Sequence, residues 1–347
     1  MRILITGAAG LVGYNCCEVF AARGDDIVAV DNFMRAKLFG NDGNTRENAE
    51  ALSRKYQNIR FESIDICNRL VMEGLFRQEC FDLTIHAAAQ PSHPKSIEIP
   101  FEDFEINAYG TLLLLELARL YAPSSTFIFC STNKVYGENP NALPLVEKET
   151  RYDYDGIDGI DEAMSLDQTM HTPFGVSKVA ADLYVQEYAH LYGLKTGVFR
   201  MGCITGPAAK AVELHNWEPY FMRANLTGRT LTVFGFKGKQ VRDVIDARDL
   251  ARAFLLFSES PRSGEVYNMG GGRENSISLV ESFGLIESIT GRPMSYMLGP
   301  PRVGDHICYI SSLAKFQSHY PWKIEIGLRE IFTDLYEALR RDELHRH

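Results

Sequence analysis

Apolar residues in this chain fall into two spacings. Short β-branched runs at Arg2–Thr6, Ile27–Asp31, Ile59–Asp65, Leu83–Ala88, Thr126–Ser131 and Thr196–Arg200 predict strands. Between them, apolar residues recur every three or four positions, which predicts helices that include Leu11–Arg23, Phe101–Tyr121 and Phe174–Tyr192. The alternation predicts an α/β domain whose parallel sheet is joined by crossover helices. Beyond about Gly202 the pattern becomes irregular and is punctuated by Gly and Pro, as expected where a smaller second lobe begins. Residues 240–257 read again as strand, turn and helix, and are expected to return to the first lobe. The expected division therefore joins residues 1–201 with about 240–268, and about 202–239 with 269–347. Arg151–Thr172, which contains Tyr152-Asp-Tyr-Asp-Gly-Ile-Asp-Gly-Ile-Asp161, reads as a long acidic loop. Such loops are often functional; a solvated acidic loop is the alternative.

Composition narrows the class. A chain of 347 residues suits two fused lobes better than one core. With 45% apolar and 23% charged residues it has the balance of a soluble globular protein. A net charge of -9 and a pI of about 5.6 argue against nucleic acid as a partner. No apolar run reaches the ~20 residues of a membrane span, so no membrane partner is expected. The chain opens directly into a strand pattern, without a signal-peptide pattern. Seven cysteines without framework spacing are expected as reduced thiols in a cytoplasmic protein, Cys16 and Cys17 among the core. No Cys/His cluster has zinc spacing, so no metal is expected.

Two motifs carry the candidate chemistry. Thr6-Gly7-Ala-Ala-Gly10-Leu-Val-Gly13 follows the first strand and opens a helix. Glycines there let backbone N–H groups approach a pyrophosphate, and the helix N-terminus favours its charge. The second strand ends in Asp31, near the ~20-residue offset expected for a carboxylate on ribose hydroxyls. Asp31 repels a 2′-phosphate and so favours NAD over NADP, although Arg35 lies close by in sequence. The second motif is His171-Thr-Pro-Phe174-Gly-Val-Ser-Lys178, which places an aromatic residue and a Lys one helical turn apart on one face. In dehydrogenases built this way the aromatic is a Tyr, whose phenol takes a proton as hydride leaves for NAD. Phe174 cannot carry a proton.

The spacing Gly7-x-x-Gly10-x-x-Gly13 resembles that of the extended short-chain dehydrogenases/reductases, the sugar-nucleotide epimerases and dehydratases. His86-Ala-Ala-Ala-Gln90 and Asn107-Ala-Tyr-Gly-Thr111 are similar to further motifs of that family, and the matches cover nearly the whole chain. The resemblance implies a Rossmann-type doubly wound parallel sheet with a smaller mixed α/β substrate lobe, NAD as cofactor, a nucleotide-diphosphate sugar as partner, and a homodimer. It implies cofactor contacts at Gly7, Ala9, Gly10, Leu11, Val12, Gly13, Asp31, Asn32, Arg35, Asp65, Ile66, Ala87, Ala88, Ala89, Asn107, Lys178, Met201 and Cys203. Substrate contacts are implied at Gln90, Thr132, Asn133, Lys134, Glu213, His215, Arg242 and Arg302, the two arginines as donors to the diphosphate.

Ser131-Thr132-Asn133-Lys134-Val135-Tyr136-Gly137 and Gly238-Lys-Gln-Val-Arg242-Asp243 resemble the CDP-paratose 2-epimerase (CDP-tyvelose epimerase) subgroup. The resemblance places Thr132 on the reacting sugar oxygen and Lys178 on the nicotinamide ribose. Asn133 and Lys134 stand where 4,6-dehydratases carry Asp and Glu. An amide and an ammonium cannot replace that acid–base pair, so epimerisation by oxidation at C2 to a keto sugar and re-reduction is the favoured reading. Three accounts of Phe174 stay open. Tyr152, Tyr154, His171, Lys134, Cys203 or Lys178 takes the proton instead; Phe174 is a block introduced at a Tyr position; or the protein uses binding, or other chemistry on a sugar nucleotide, without redox.

Overall fold

The computed structural model describes residues 1–346. Five strands, β1 (Arg2–Thr6), β2 (Asp26–Val30), β3 (Ile59–Glu62), β4 (Leu83–His86) and β5 (Thr126–Thr132), combine with Lys195–Met201 and Glu265–Met269 in one seven-stranded sheet. Every pairing in it is parallel. The order runs Glu265–Met269, Lys195–Met201, β5, β4, β1, β2, β3, so the direction of winding reverses between β1 and β4. In such sheets the crevice beyond the carboxyl ends at the reversal point receives the ligand.

Alternation along the strands separates two cores. Ile3, Ile5, Ile27 and Ala29 point to one face, where Leu11–Ala22, Arg46–Lys55 and Ala247–Glu259 contribute Phe20, Leu52, Phe254 and Phe257. Leu4, Val28 and Val30 point to the other, against Arg69–Gln78, Gly110–Tyr121 and Pro173–Tyr192. Strands buried on both faces read as near-continuous apolar runs, which is why the sequence pattern locates them. Phe199 is the aromatic centre of the first core, with ring centroids 4.8 Å from Phe254, 5.4 Å from Phe257, 5.6 Å from Tyr267 and 5.9 Å from Phe316.

Three elements differ from the periodicity reading. The expected helix Phe101–Tyr121 is interrupted: Pro100–Phe104 and Gly110–Tyr121 flank a π turn at Glu105–Tyr109. Single π turns mark functional positions, and this one contains Asn107. The segment 240–257 divides. Val241–Asp246 pairs with Cys203–Thr205, Ser276–Ser278 and Cys308–Tyr309 in a separate sheet, whereas Ala247–Glu259 packs on the helix Leu11–Ala22. The strand that rejoins the large sheet is Glu265–Met269, whose mixed Glu-Val-Tyr-Asn-Met sequence carries no β-branched run. The acidic loop is pinned at three points. Tyr152–Tyr154 pairs antiparallel with Leu145–Glu147, Ile160 bridges to Ser311, and Glu162 accepts the Asn268 N–H at 2.6 Å.

The smaller lobe packs the helices Trp217–Thr227, Leu279–Thr290 and Leu328–Arg346 around Phe221, Met222, Phe283, Ile331 and Phe332. Among the described residues no helix is long and apolar enough to cross a membrane.

Phe199→Ala is expected to lower stability by about 3–5 kcal/mol through the cavity it leaves. Urea unfolding with an unchanged denaturant slope is the check.

Candidate active site

The reversal point is closed by backbone. Gly7 has φ of 66°, and a Cβ there would stand 2.7 Å from Ala88 N. A Cβ on Gly13 would stand 2.2 Å from Gly7 O. The helix Leu11–Ala22 begins at Gly10 without a side-chain cap, so its first N–H groups point into the crevice. Asp31, just past β2, is held by the N–H groups of Ala9 at 3.0 Å and Phe33 at 2.7 Å, and burial pushes its carboxyl up. Asn32 donates to Asp65 at 3.1 Å. This is a cradle that fits a dinucleotide: no Cβ in the way of its pyrophosphate, an open helix N-terminus, and a carboxylate at the ribose end.

One continuous cleft runs from this cradle to the second lobe. Its lining includes Gly7, Gly10, Leu11, Val12, Gly13, Asp31, Asn32, Arg35, Asp65, Ile66, Ala87, Ala88 and Ala89. Further along it come Thr132, Asn133, Lys134, Phe174, Lys178, Met201, Cys203 and His215. Six expected contacts stand outside the lining. Ala9 lies behind it, its carbonyl accepting from Asn48 at 3.0 Å. Gln90 and Asn107 lie in a buried network, and Arg242, Arg302 and Glu213 are engaged elsewhere in the second lobe.

The network explains the π turn. The Asn107 amide accepts from Gln90 N–H at 2.9 Å and donates to Asp103 at 3.1 Å and to Ser177 at 3.3 Å. Asp103 also accepts from Ser177 Oγ at 2.6 Å and Gln90 Nε2 at 2.7 Å. Gln90 and Asn107 therefore tie the end of β4 to the Pro173–Tyr192 helix and do not face the cleft. Sequence reading missed Asp103; its place four residues before Asn107, on one helix face, was the available signal. His86 sits next to this network. Thr111 Oγ1 donates to Asn107 O at 2.7 Å, so it accepts from His86 Nε2 at 3.0 Å, and His86 Nδ1 accepts from Thr6 Oγ1 at 2.8 Å. Burial and the nearby Lys178 pull this imidazole down to about 3.

Thr132 ends β5, and its Oγ1 accepts the Lys134 N–H at 3.2 Å, capping the short turn Asn133–Tyr136. Phe174 starts the long helix, 7% exposed, its N–H donating to Ser96 Oγ at 3.1 Å. Lys178 donates to Cys130 O at 2.6 Å and lies 4.2 Å from the Phe129 ring centroid. Burial lowers both Lys134 and Lys178 to about 8.

Three proposed substitutes for a phenol at position 174 are placed elsewhere. Tyr152 OH donates to Glu147 at 3.1 Å near the surface. Tyr154 OH donates to Cys308 O at 2.7 Å inside a separate apolar cluster, and His171 Nε2 donates to Val135 O at 2.8 Å. None of the three belongs to the lining of the cleft. Cys203 does line the cleft, but burial pushes its thiol up to about 12.

Arg35, on the short helix Met34–Phe39 after β2, lies 3.4 Å from His215 Nδ1 of the second lobe, and burial pulls that imidazole down to about 3. Arg242 is buried, donating to Val241 O at 2.7 Å and to Asp305. Arg302 lies 4.1 Å from the Phe234 ring centroid and 3.8 Å from Glu213. Glu218 was missed in the sequence: it lines the cleft, is 1% exposed, and burial pushes it up to about 8. Only the loop fold before it, and no local pattern, brings it there.

The family model described as the NAD dependent epimerase/dehydratase family matches residues 3–270. The CDP-paratose 2-epimerase of Salmonella typhi is 33% identical over 345 residues, 97% of this chain and 98% of that protein. The dTDP-glucose 4,6-dehydratase of Shigella flexneri is 31% identical over 85% of this chain and 80% of that protein. Two solved structures are similar at 27% identity and a TM-score of 0.80. One is the UDP-glucose 4-epimerase of Thermotoga maritima with UDP-glucose, covering 99% of this chain and 100% of that one. The other is the UDP-glucose 4-epimerase of Thermus thermophilus in complex with NAD, covering 98% and 99%. The chain belongs to the NAD-dependent epimerase/dehydratase family. It is an enzyme of that class, and its cofactor is NAD.

Two predictions follow from this geometry. Gly13→Ala forces a Cβ onto the Gly7 carbonyl and should weaken NAD binding at least tenfold by calorimetric titration, with the far-ultraviolet circular dichroism unchanged. The second concerns acid stability. His86 is neutral when folded and takes up a proton near 6.5 when unfolded. Its contribution is therefore complete above about 6.5 and is lost as pH falls towards 3. By pH 5 that loss amounts to about 2 kcal/mol. His86→Asn should lower stability at pH 7 yet flatten its decline between pH 7 and pH 5, measured by urea unfolding at each pH.

Proposed function

We propose that this protein is an epimerase of a nucleotide-diphosphate sugar, a CDP-hexose foremost, that inverts C2 through a transient 2-keto sugar. The observation that carries this reading is the single cleft that joins the glycine cradle to Thr132, Lys134, Phe174 and Lys178. The full-length similarity to a CDP-paratose 2-epimerase supports the CDP group and the C2 position. Asn133 and Lys134 support epimerisation over dehydration, because no carboxylic acid–base pair stands beside Thr132 to expel water.

Bound in the cradle, NAD supplies a reversible hydride acceptor. The chain's own residues do the rest. Gly7, Gly10 and Gly13 admit the pyrophosphate, Asp31 takes the adenosine ribose, and Lys178 takes the nicotinamide ribose. Thr132 hydrogen-bonds the reacting sugar oxygen. Arg242 and Arg302 grip the diphosphate once phosphate oxygens replace their present partners, Asp305 and Glu213. Exposed apolar residues on the short helix Pro100–Phe104 and the long helix Pro173–Tyr192, among them Phe101, Phe104, Leu183 and Tyr184, support a homodimer formed through these segments. We read the enzyme as cytoplasmic.

The test is single-turnover NADH absorbance on NAD-loaded protein mixed with CDP-, UDP-, GDP-, ADP- and dTDP-hexoses and with CDP-paratose. CDP-paratose is expected to give the largest signal, and Phe174→Tyr to raise its rate ten- to a hundredfold. Binding of a sugar nucleotide without any NADH from either form would replace redox chemistry with a non-redox or binding role.

A further inference from the structure

We propose that Lys134 carries the proton of the reacting sugar hydroxyl in this chain, the task that a phenol at position 174 would perform. The proposal rests on the epimerase reading above.

Position selects it. Lys134 follows Thr132 by two residues, and its backbone N–H is bonded to the Thr132 hydroxyl at 3.2 Å. A Cβ on Gly175 would stand 2.9 Å from the Lys134 carbonyl, so the start of the Phe174 helix packs directly against this turn. The Lys134 backbone and the ring that lacks a hydroxyl therefore meet at one corner of the cleft, and both residues belong to its lining. Exposure separates the two lysines. Lys134 is half-buried, its side chain 18% exposed, whereas Lys178 is buried at 3% exposed; each Nζ donates to one backbone carbonyl, Gly304 O and Cys130 O. His93 also lines the cleft, but burial pulls its imidazole down to about 4, which makes it the weaker base.

The surroundings let the amine change charge. Lys134 Nζ donates to Gly304 O at 3.0 Å and stands 3.9 Å from Asp305. Arg242, His93, His306, Cys203 and Glu138 complete the titratable or charged groups that face it. Burial and Arg242 favour the neutral amine and Asp305 opposes them, which leaves Lys134 at about 8. Asp305 itself is held down at about 2, chiefly by Arg242 and Lys134 against its burial, so it stays ionised and keeps the ammonium tolerable when it forms.

The step balances. The hydroxyl O–H bond breaks and its proton passes to the neutral amine, which becomes an ammonium. NAD held in the glycine cradle would supply the acceptor for the hydride of the neighbouring C–H bond, as the carbinol carbon becomes a ketone. Re-reduction on the opposite face takes the same proton back from Lys134. Because the neutral amine starts the cycle, turnover rises with pH through about 8 and then levels.

The experiment uses NAD-loaded enzyme and CDP-paratose as probe, with NADH formation followed from pH 6 to pH 10. Lys134→Met and Lys134→Arg are both expected to slow it about 10²–10⁴-fold and to remove the limb near 8, with CDP-paratose binding changed only a few-fold. In a Phe174→Tyr background the same substitutions should slow it less than tenfold. Competitive acetylation read by mass spectrometry should titrate Lys134 near 8 in the unreacted holoenzyme, against 10.5 for an ordinary lysine. Retained rate in Lys134→Arg would show that charge alone suffices and would overturn the proposal. So would a rate within threefold in Lys134→Met, or titration near the ordinary value. NADH formation that survives Lys134→Met removes this proposal and leaves the epimerase reading standing. Absence of NADH in both the parent and Phe174→Tyr removes the two together.

Discussion

The backbone contact between Gly7, Gly13 and the end of β4 is the constraint on which the rest of the site depends. The first strand and its following helix turn so tightly that a single methyl group at Gly13 would overlap the Gly7 carbonyl. That turn brings the uncapped helix N-terminus over the point where the sheet reverses direction. Much of what lines the cleft beyond it is placed by the ends of neighbouring strands: Asp31 by β2, Ala87–Ala89 by β4, Thr132–Lys134 by β5 and Met201–Cys203 by the strand beside it. A parallel sheet aligns those ends on one edge, which brings together residues far apart in sequence.

Burial then sets the protonation states. The packing that buries these side chains keeps His86, His93 and His215 neutral and lowers two lysines to about 8. Desolvation penalises a charged group, and each of these lacks a full counter-charge at hydrogen-bond distance. Asp103 shows the opposite solution. It is buried with three donor contacts, one each from Ser177, Gln90 and Asn107, the last two on one oxygen, and serves to hold the helix that carries Phe174 and Lys178. Positioning and chemistry are thereby divided between two layers, one behind the cleft lining and one in it.

Much of the fold was legible because strands buried on both faces must be apolar and β-branched along their length, and β1, β2 and β4 are. The edge strand Glu265–Met269 was not, since an edge needs less apolar content and its sequence mixes Glu, Tyr and Asn. The π turn at Asn107 was invisible for a different reason. It depends on hydrogen bonds to Gln90 and Ser177, residues 17 and 70 positions away. Tyr152, Tyr154 and His171 were plausible proton carriers by chemistry alone, and only their partners Glu147, Cys308 and Val135 remove them.

The amino-acid sequence by itself determined the alternation of strands and helices, the glycine turn with Asp31 at its expected offset, and the absence of a hydroxyl at position 174. Each of these is a property of residues within about one element of one another, which local sterics and periodicity express directly. Only the tertiary structure decided that Lys134 is the less buried of the two lysines in the cleft, that Arg242 and Arg302 face Asp305 and Glu213, and that Glu218 is buried in the lining. Those outcomes depend on contacts such as Lys134 with Gly304, 170 residues apart. Such contacts form only once both lobes have packed, and with them come the desolvation and neighbouring charges that fix what each group can do.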